Sequence, residues 1–365
     1  MKSSIQSRAI DFKGEVMRQN TAMQHRRGVT STIGLAAAAL LLIGCAAGPG
    51  GGGDGQTSAP EDETLQIAYI SFAVANTYDE PMLAAAEEVA AAGNAEITVF
   101  DANLDPALQG TLIEDVIASG QYDGMIVQPV YGPAIVDVVQ EAMDAGLTVV
   151  NIDQILGEDF TTAKTQLKGL SANVLQVPSE LGRKLGEKTV EGCAAANLDP
   201  CNVAFLHDLK SSSVSIAIWD AFTEATAGSP VTVVAEGETF WNPAAAQTAL
   251  ADIITGNSDI DAVVTSDQGL QGSVLAIEAA GQAAGDYLLV GYGGAEWGRQ
   301  KVAEGIVFAD VVMAPATMGK LGMEALIDAL RNDNHWGDRD PSADFPNDGI
   351  MTKDTADQFT GEWPG

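Results

Sequence analysis

Aromatic rings stand beside carboxylates and carboxamides at the end of one β-branched run after another in this sequence. The run at 65–71 is followed by Phe72, Asn76 and Tyr78, the run at 124–128 ends on Gln128, and the run at 147–152 is followed by Asp153 and Gln154. A second series supplies His207 and Asp208, then Phe240, Trp241 and Asn242, then Asp267 and Gln268, then Tyr292, Gly293 and Gly294. Rings cover C–H faces while planar carboxylates and carboxamides take up O–H hydrogens, so the set suits a small molecule with an apolar face and several hydroxyls. Each residue also has a plainer use. Asn and Asp at strand ends cap helices and make turns, and Phe240 and Trp241 can serve as packing between lobes. Caps alone, however, do not require aromatic rings beside them at one strand end after another.

Chemistry beyond binding finds little material. There is no Gly-x-Ser-x-Gly elbow, and Cys193 and Cys201 close a loop short enough to commit them to each other in an oxidising compartment. Beyond the N-terminal segment only His207 and His335 are left as imidazole ligands, without Cys-x-x-Cys or His-x-x-x-His spacing, so no metal site is expected. The glycines at 50–55 lie in a structureless stretch, and Gly291-Tyr292-Gly293-Gly294 lacks the last glycine of the dinucleotide fingerprint, so no phosphate cofactor is expected either. Asp153 and Asp267 form the one pair of acids that would suit glycosidase chemistry.

The elements that position these residues alternate regularly. Strand patterns at 65–71, 97–100, 124–128 and 147–152 are separated by helical patterns at 81–92, 106–118 and 133–145. A second series has strands at 202–207, 231–236, 262–266, 287–291 and 307–312, with helices at 213–227, 243–255, 270–280 and 296–304 and a last helix at 315–330. In the first helix Met82, Ala86, Val89 and Ala90 share a face. Strands apolar on both sides and joined through helices indicate parallel sheets covered on both faces, and two such series indicate two sheets. Ligands of such sheets bind beyond the carboxyl ends of the strands, where the polar and aromatic residues above fall.

The chain carries 18 basic and 50 acidic residues, a net charge of −32. Nucleic acid is excluded as a partner, because no clustered basic face exists to neutralise phosphates. Six of the basic residues and two of the acidic ones lie within 1–44, so the rest of the chain carries −36. Arg26-Arg27 precede an apolar run at 33–43 that is too short to span a bilayer but of signal-peptide length, and Leu42-Ile43-Gly44-Cys45 resembles the bacterial lipobox. The expected organisation is a lipoprotein signal peptide over 1–44, then lipidated Cys45 and a Gly-rich tether to residue 63, holding an exported domain on the outer face of the cell membrane. The acidity is read as a solvated outer surface.

The segments IAYISFAVANTYD at 67–79, DGMIVQP at 123–129, AGLTVVNID at 145–153, DAVVTSDQGLQGSVLAIEAAG at 261–281 and LLVGYGG at 288–294, together with lipobox and tether, carry a resemblance. The chain resembles the type I periplasmic binding proteins of ABC importers, in the ribose-binding-like branch. That likeness implies an α/β fold of two doubly wound parallel-sheet lobes, 64–172 plus 314–342 and 173–313 plus 343–365. A hinge of three crossovers near 171–174, 313–315 and 341–345 would join them. It implies a monomeric binding protein with no enzymatic activity and no cofactor, which captures a monosaccharide or polyol by hinge closure and delivers it to an ABC permease. The same clamshell also serves receptors that present a signalling molecule to a membrane sensor, and a tethered glycosidase stands as the third reading.

By the same likeness Asn76 and Tyr78 supply the first lobe's carboxamide and stacking ring, Asp153 the acid ending the fourth strand, Trp241 the second lobe's ring, and Asp267 a hydroxyl-binding acid. Phe72, Gln128 and Asp208 join them as strand-end residues. Four positions depart from the family pattern: Gln154 replaces an arginine, 211–220 contain no arginine, Gly293 replaces an acid and Met313 a glutamine. A ribose hydroxyl facing those positions would be buried without a partner, which points to a smaller, less hydroxylated or cationic ligand near Asp153, Asp267 and Trp241.

Overall fold

The computed structural model describes residues 59–60, 62–257 and 259–365. The expected signal peptide, Cys45 and nearly all of the tether lie outside the described residues. The first series runs β1 (Leu65–Ser71), α1 (Asp79–Ala92), β2 (Ala95–Asp101), α2 (Pro106–Ser119), β3 (Gly124–Val127), α3 (Gly132–Asp144), β4 (Thr148–Ile152) and β5 (Ala172–Val174). The second runs α4 (Pro178–Ala195), β6 (Cys201–His207), α5 (Ser213–Thr226), β7 (Val231–Glu238), α6 (Pro243–Gly256), β8 (Ala262–Ser266), α7 (Asp267–Ala279), β9 (Leu288–Gly293), α8 (Glu296–Glu304) and β10 (Ala309–Val312). Then come α9 (Pro315–Asn332), β11 (Gly337–Arg339) and β12 (Ile350–Thr352).

Two six-stranded sheets result. The first has the order β2-β1-β3-β4-β5-β11 and is parallel throughout. The second, β7-β6-β8-β9-β10-β12, is parallel except for its edge strand β12. Central strands are buried on both faces, as the unbroken burial of β3, β4 and β8 shows, which is why their sequences read as continuous apolar runs. In the first sheet α1 and α9 cover one face, while α2 and α3 pack together on the other; in the second, α4 pairs with α5 and α6 with α7. The α1 face is built on buried Met82, Ala86 and Ala90. Strand order reverses beside β1 in one sheet and beside β6 in the other, so the carboxyl ends there open onto the crevice where open α/β sheets hold ligands.

The chain leaves the first sheet after Val174, comes back between β10 and α9, and passes over once more between β11 and β12. Two of these passages are laced together by one side chain: Gln176 Nε2 donates to Val312 O (3.0 Å) and its Oε1 accepts from Ala314 N (3.3 Å). Cys193 near the end of α4 and Cys201 at the start of β6 are joined in a disulfide. Among the described residues no helix is long and apolar enough to cross a membrane.

Four elements escape the hydrophobic pattern. Helix α4 buries Gly182, Gly186, Thr189 and Gly192 beside Leu181 and Leu185, so its inward face has too few large apolar side chains to show a period. Strands β5, β11 and β12 are only three residues long, and two of them are edges that pair on one side.

Candidate functional site

The carboxyl ends of the two sheets face each other across a cleft of about 450 Å³, counting the part open to solvent. Nine of the eleven binding residues proposed from the sequence line it. Phe72, Asn76, Tyr78, Gln128, Asp153 and Gln154 come from the ends of β1, β3 and β4; Trp241, Gly293 and Met313 come from the loop after β7, the end of β9 and the passage after β10.

The first-sheet side is organised around one carboxamide. Gln128 Oε1 accepts from Phe72 N (3.1 Å), while its Nε2 donates to Asp79 Oδ1 (2.5 Å) and to Asp153 Oδ2 (3.0 Å). Asp153 further accepts from Tyr78 OH at 3.1 Å and Gln154 Nε2 at 2.8 Å. Its backbone is left-handed, with φ of 65°. A non-glycine residue held there costs on the order of 1–2 kcal/mol, and the network supplies the constraint that keeps it so. Phe240 and Trp241 are left-handed in succession, at φ 53° and 49°. Phe240 N bonds to Asp208 O and Trp241 N to Thr239 Oγ1. That turn leaves Phe240 exposed and carries the Trp241 ring across the cleft to meet Phe72 edge-on at 5.2 Å.

Other contacts span the same gap. Gln268 Nε2 reaches Asn76 Oδ1 (3.1 Å) and Thr77 Oγ1 (3.3 Å), and Tyr78 meets Trp363 edge-on at 5.4 Å. The two sides are therefore drawn together, and the acids between them are buried.

A scan against known families matches residues 67–334 to the periplasmic binding protein domain. The chain belongs to the periplasmic binding protein family. Among curated relatives it is 23% identical to the ribose import binding protein RbsB of Bacillus subtilis over 64% of this chain and 72% of that one. It is 22% identical to the D-ribose/D-allose-binding protein of Pseudomonas aeruginosa over 66% and 73%. Among solved structures it superposes with a TM-score of 0.67 on the periplasmic binding protein of the arabinose ABC transporter from Shewanella sp. ANA-3 bound to L-arabinofuranose, at 21% identity over 80% of this chain and 93% of that chain. With an ABC transporter solute binding protein from Mycobacterium smegmatis holding glycerol the TM-score is 0.69, at 18% identity over 83% and 100%. As a periplasmic binding protein it is an extracytoplasmic solute-binding component of an ABC importer and not an enzyme.

Two sequence-proposed ligands of this periplasmic binding protein are placed elsewhere. Asp208 is buried behind the cleft, where it accepts from Thr239 Oγ1 (2.5 Å), Ser266 Oγ (2.7 Å) and the Tyr292 hydroxyl. It holds the Tyr292 ring, and that ring lines the cleft. Asp267 is fully buried on the far side of the β8 turn, accepting from Ala295 N (2.7 Å) and facing Asp310. Ser266 caps α7 through Gly269 N, and the helix begins so tightly on β8 that Gln268, one residue on, faces the cleft instead. The glycosidase pair is thereby dismantled, since only Asp153 reaches the cleft. His207 is also outside it, packed on Phe205 and Trp219 and bonded to Glu236, and Asn242 is the N-cap of α6.

Sequence reasoning missed Asp79, Val214, Ser266 and Trp363 among the lining residues. Asp79 is the first residue of α1, next to Tyr78, and was legible as a helix-start acid. Trp363 arrives from the C-terminal tail and carries no local signal. Its Nε1 donates to Gly293 O (2.8 Å). Gly293 has φ of 138°, and a Cβ there would lie 2.8 Å from the Trp363 ring and 2.9 Å from Asp267 Oδ2. The tail tryptophan thus fills the space beside the turn, and a side chain at 293 is shut out by sterics and backbone alike.

Burial pushes the Asp79 carboxyl well above the usual carboxylate range, against the bond from Gln128 that pulls it down. Asp153 is pushed up for the same reason, with Gln128, Gln154 and Tyr78 opposing.

Proposed function

We propose that this binding protein captures a small hydroxylated solute, of the monosaccharide or polyol class, in the cleft between its two sheets and hands it to a membrane ABC permease. The observation that carries the reading is the cleft itself: the rings of Phe72, Tyr78, Trp241 and Tyr292 line it, and Asp153, Gln154 and Asn76 set planar polar groups beside them. Relatives named for ribose, and structural neighbours holding arabinofuranose or glycerol, support the ligand class. Residues 64–172 with 314–342 act as one lobe and 173–313 with 343–365 as the other. They close about the passages laced by Gln176, because the solute binds the closed form better than the open one.

The protein acts as a monomer tethered to the outer face of the cell membrane through lipidated Cys45. The order of basic residues, apolar run and Leu42-Ile43-Gly44-Cys45 supports that anchor. Cys45→Ala should release the protein from the membrane fraction, and retention there would end the anchor reading. The ligand class is tested by a thermal-shift screen of the purified protein against sugars, polyols and nucleosides, since a ligand bound only by the folded state raises Tm by mass action. A rise with a sugar or polyol is expected; no rise with any of them would overturn the class.

A further inference from the structure

We propose that the cleft selects a solute carrying a protonated amine, that is, an aminated sugar or aminated polyol. The inference rests on the reading that the cleft captures a small hydroxylated solute, and it names the charge of that solute. Two carboxylates line the cleft, Asp79 at 5% exposure and Asp153 at 3%. Among the described residues lining it there is no Lys, Arg or His to balance them. Gln154 occupies the position adjoining Asp153, and it is a neutral amide.

The hydrogen-bond inventory points the same way. Most of the lining donors are engaged within the protein: Tyr78 OH, Gln128 Nε2 and Gln154 Nε2 all donate to Asp153 or Asp79, Tyr292 OH donates to Asp208 and Gln268 Nε2 to Asn76, which leaves the Asn76 amide N–H groups for a solute hydroxyl. A lining acceptor is left over. Gln154 Oε1 is buried and has no partner, an arrangement that costs about 1–3 kcal/mol until a donor arrives. A solute rich in acceptors finds few donors to meet it, whereas an ammonium brings three N–H donors and a charge to a place that has acceptors and negative charge.

The rings complete the recognition. Phe72, Tyr78, Trp241, Tyr292 and Trp363 enclose the same space, and ring faces attract a cation that has been taken out of water. Burial raises both carboxyls, and an arriving ammonium would lower them again by direct attraction.

The test uses the purified full-length protein and matched pairs in calorimetry at neutral pH: D-glucosamine against D-glucose, D-galactosamine against D-galactose, and serinol against glycerol, with N-acetylglucosamine as a neutral control of similar size. The expected result is that at least one amine binds tenfold or more tighter than its neutral partner, with the advantage reduced in Asp153→Asn and in Asp79→Asn. If neutral members bind as well as or better than their amines, the inference is overturned while the solute class proposed above stands. If no member of either set binds, both are overturned.

Discussion

Asp267 and Asp310 offer the sharpest quantitative test of the structure. Both are fully buried, Asp267 Oδ1 and Asp310 Oδ2 have no other hydrogen-bond partner, and each carboxyl's second oxygen accepts a backbone N–H, from Ala295 (2.7 Å) and Gly294 (3.2 Å). Gly298 of α8 passes so close that a Cβ there would lie 2.4 Å from Asp267 Oδ1 and 2.6 Å from Asp310 Oδ2. Two carboxyls so placed share a proton, because both cannot ionise side by side away from water. Burial first, and for Asp267 the neighbouring charge next, push the pair up, Asp267 well above the usual carboxylate range and Asp310 to about 6.

The folded state thus holds a proton that the unfolded chain releases near the ordinary value of 3.8. The stability this contributes is fully present below about pH 4 and is lost as pH rises through about 6; with 1.36 kcal/mol per unit the loss is about 3 kcal/mol. Asp310→Asn keeps an oxygen for Gly294 N–H and turns an N–H toward Asp267, so it removes the shared proton without removing the bonds. Relative to the parent, the variant should gain about 2 kcal/mol between about pH 4.5 and 7.5, close to 4 °C in Tm at roughly 2 °C per kcal/mol for a chain of this size, because about 1 kcal/mol of the total is already lost below pH 4.5. Asp79, Asp153 and Asp208 tilt both profiles alike, and burial still raises Asp267 in the variant, so the difference in Tm reports the part that Asp310 contributes. A difference that stays constant across that range in a differential scanning measurement would refute the shared proton.

Three further outcomes follow from the same contacts. Replacing Cys193 and Cys201 by Ser should lower stability in urea unfolding by about 2–3 kcal/mol with ligand affinity unchanged, since the bridge sits at the amino end of β6, opposite the cleft. Trp363→Ala removes a ring that is 3% exposed together with its bond to Gly293 O; a loss of about 3 kcal/mol in stability and weaker ligand binding are expected, and unaltered affinity in calorimetry would remove Trp363 from the site. Gln268→Ala deletes the bonds to Asn76 and Thr77 across the cleft, so the empty protein should show a larger radius of gyration in small-angle scattering, and an unchanged radius would show that these bonds do not hold the sides together.

The alternation of strand and helix, the two-sheet class and the strand ends where a solute would sit were legible before folding, because β-branched runs buried on both faces and capped helix starts are local signals. β1 and β8 coincide with the runs read at 65–71 and 262–266, and Phe72, Tyr78, Asp153 and Trp241 line the cleft from the loops that follow their strands. Tertiary structure alone decided which strand-end side chains turn inward. Asp267 and Gln268 are neighbours, yet the tight turn from β8 into α7 sends the first to Asp310 and the second into the cleft. Asp208 reads like Asp153 in sequence, but Thr239, Ser266 and Tyr292 hold it behind a ring. Trp363 enters from the far end of the chain, and α4 packs through glycines that leave no apolar period. Periodicity records which face of an element is buried, whereas the direction of a side chain beyond a strand end depends on partners distant in sequence, and those partners are set only when the two sheets come together.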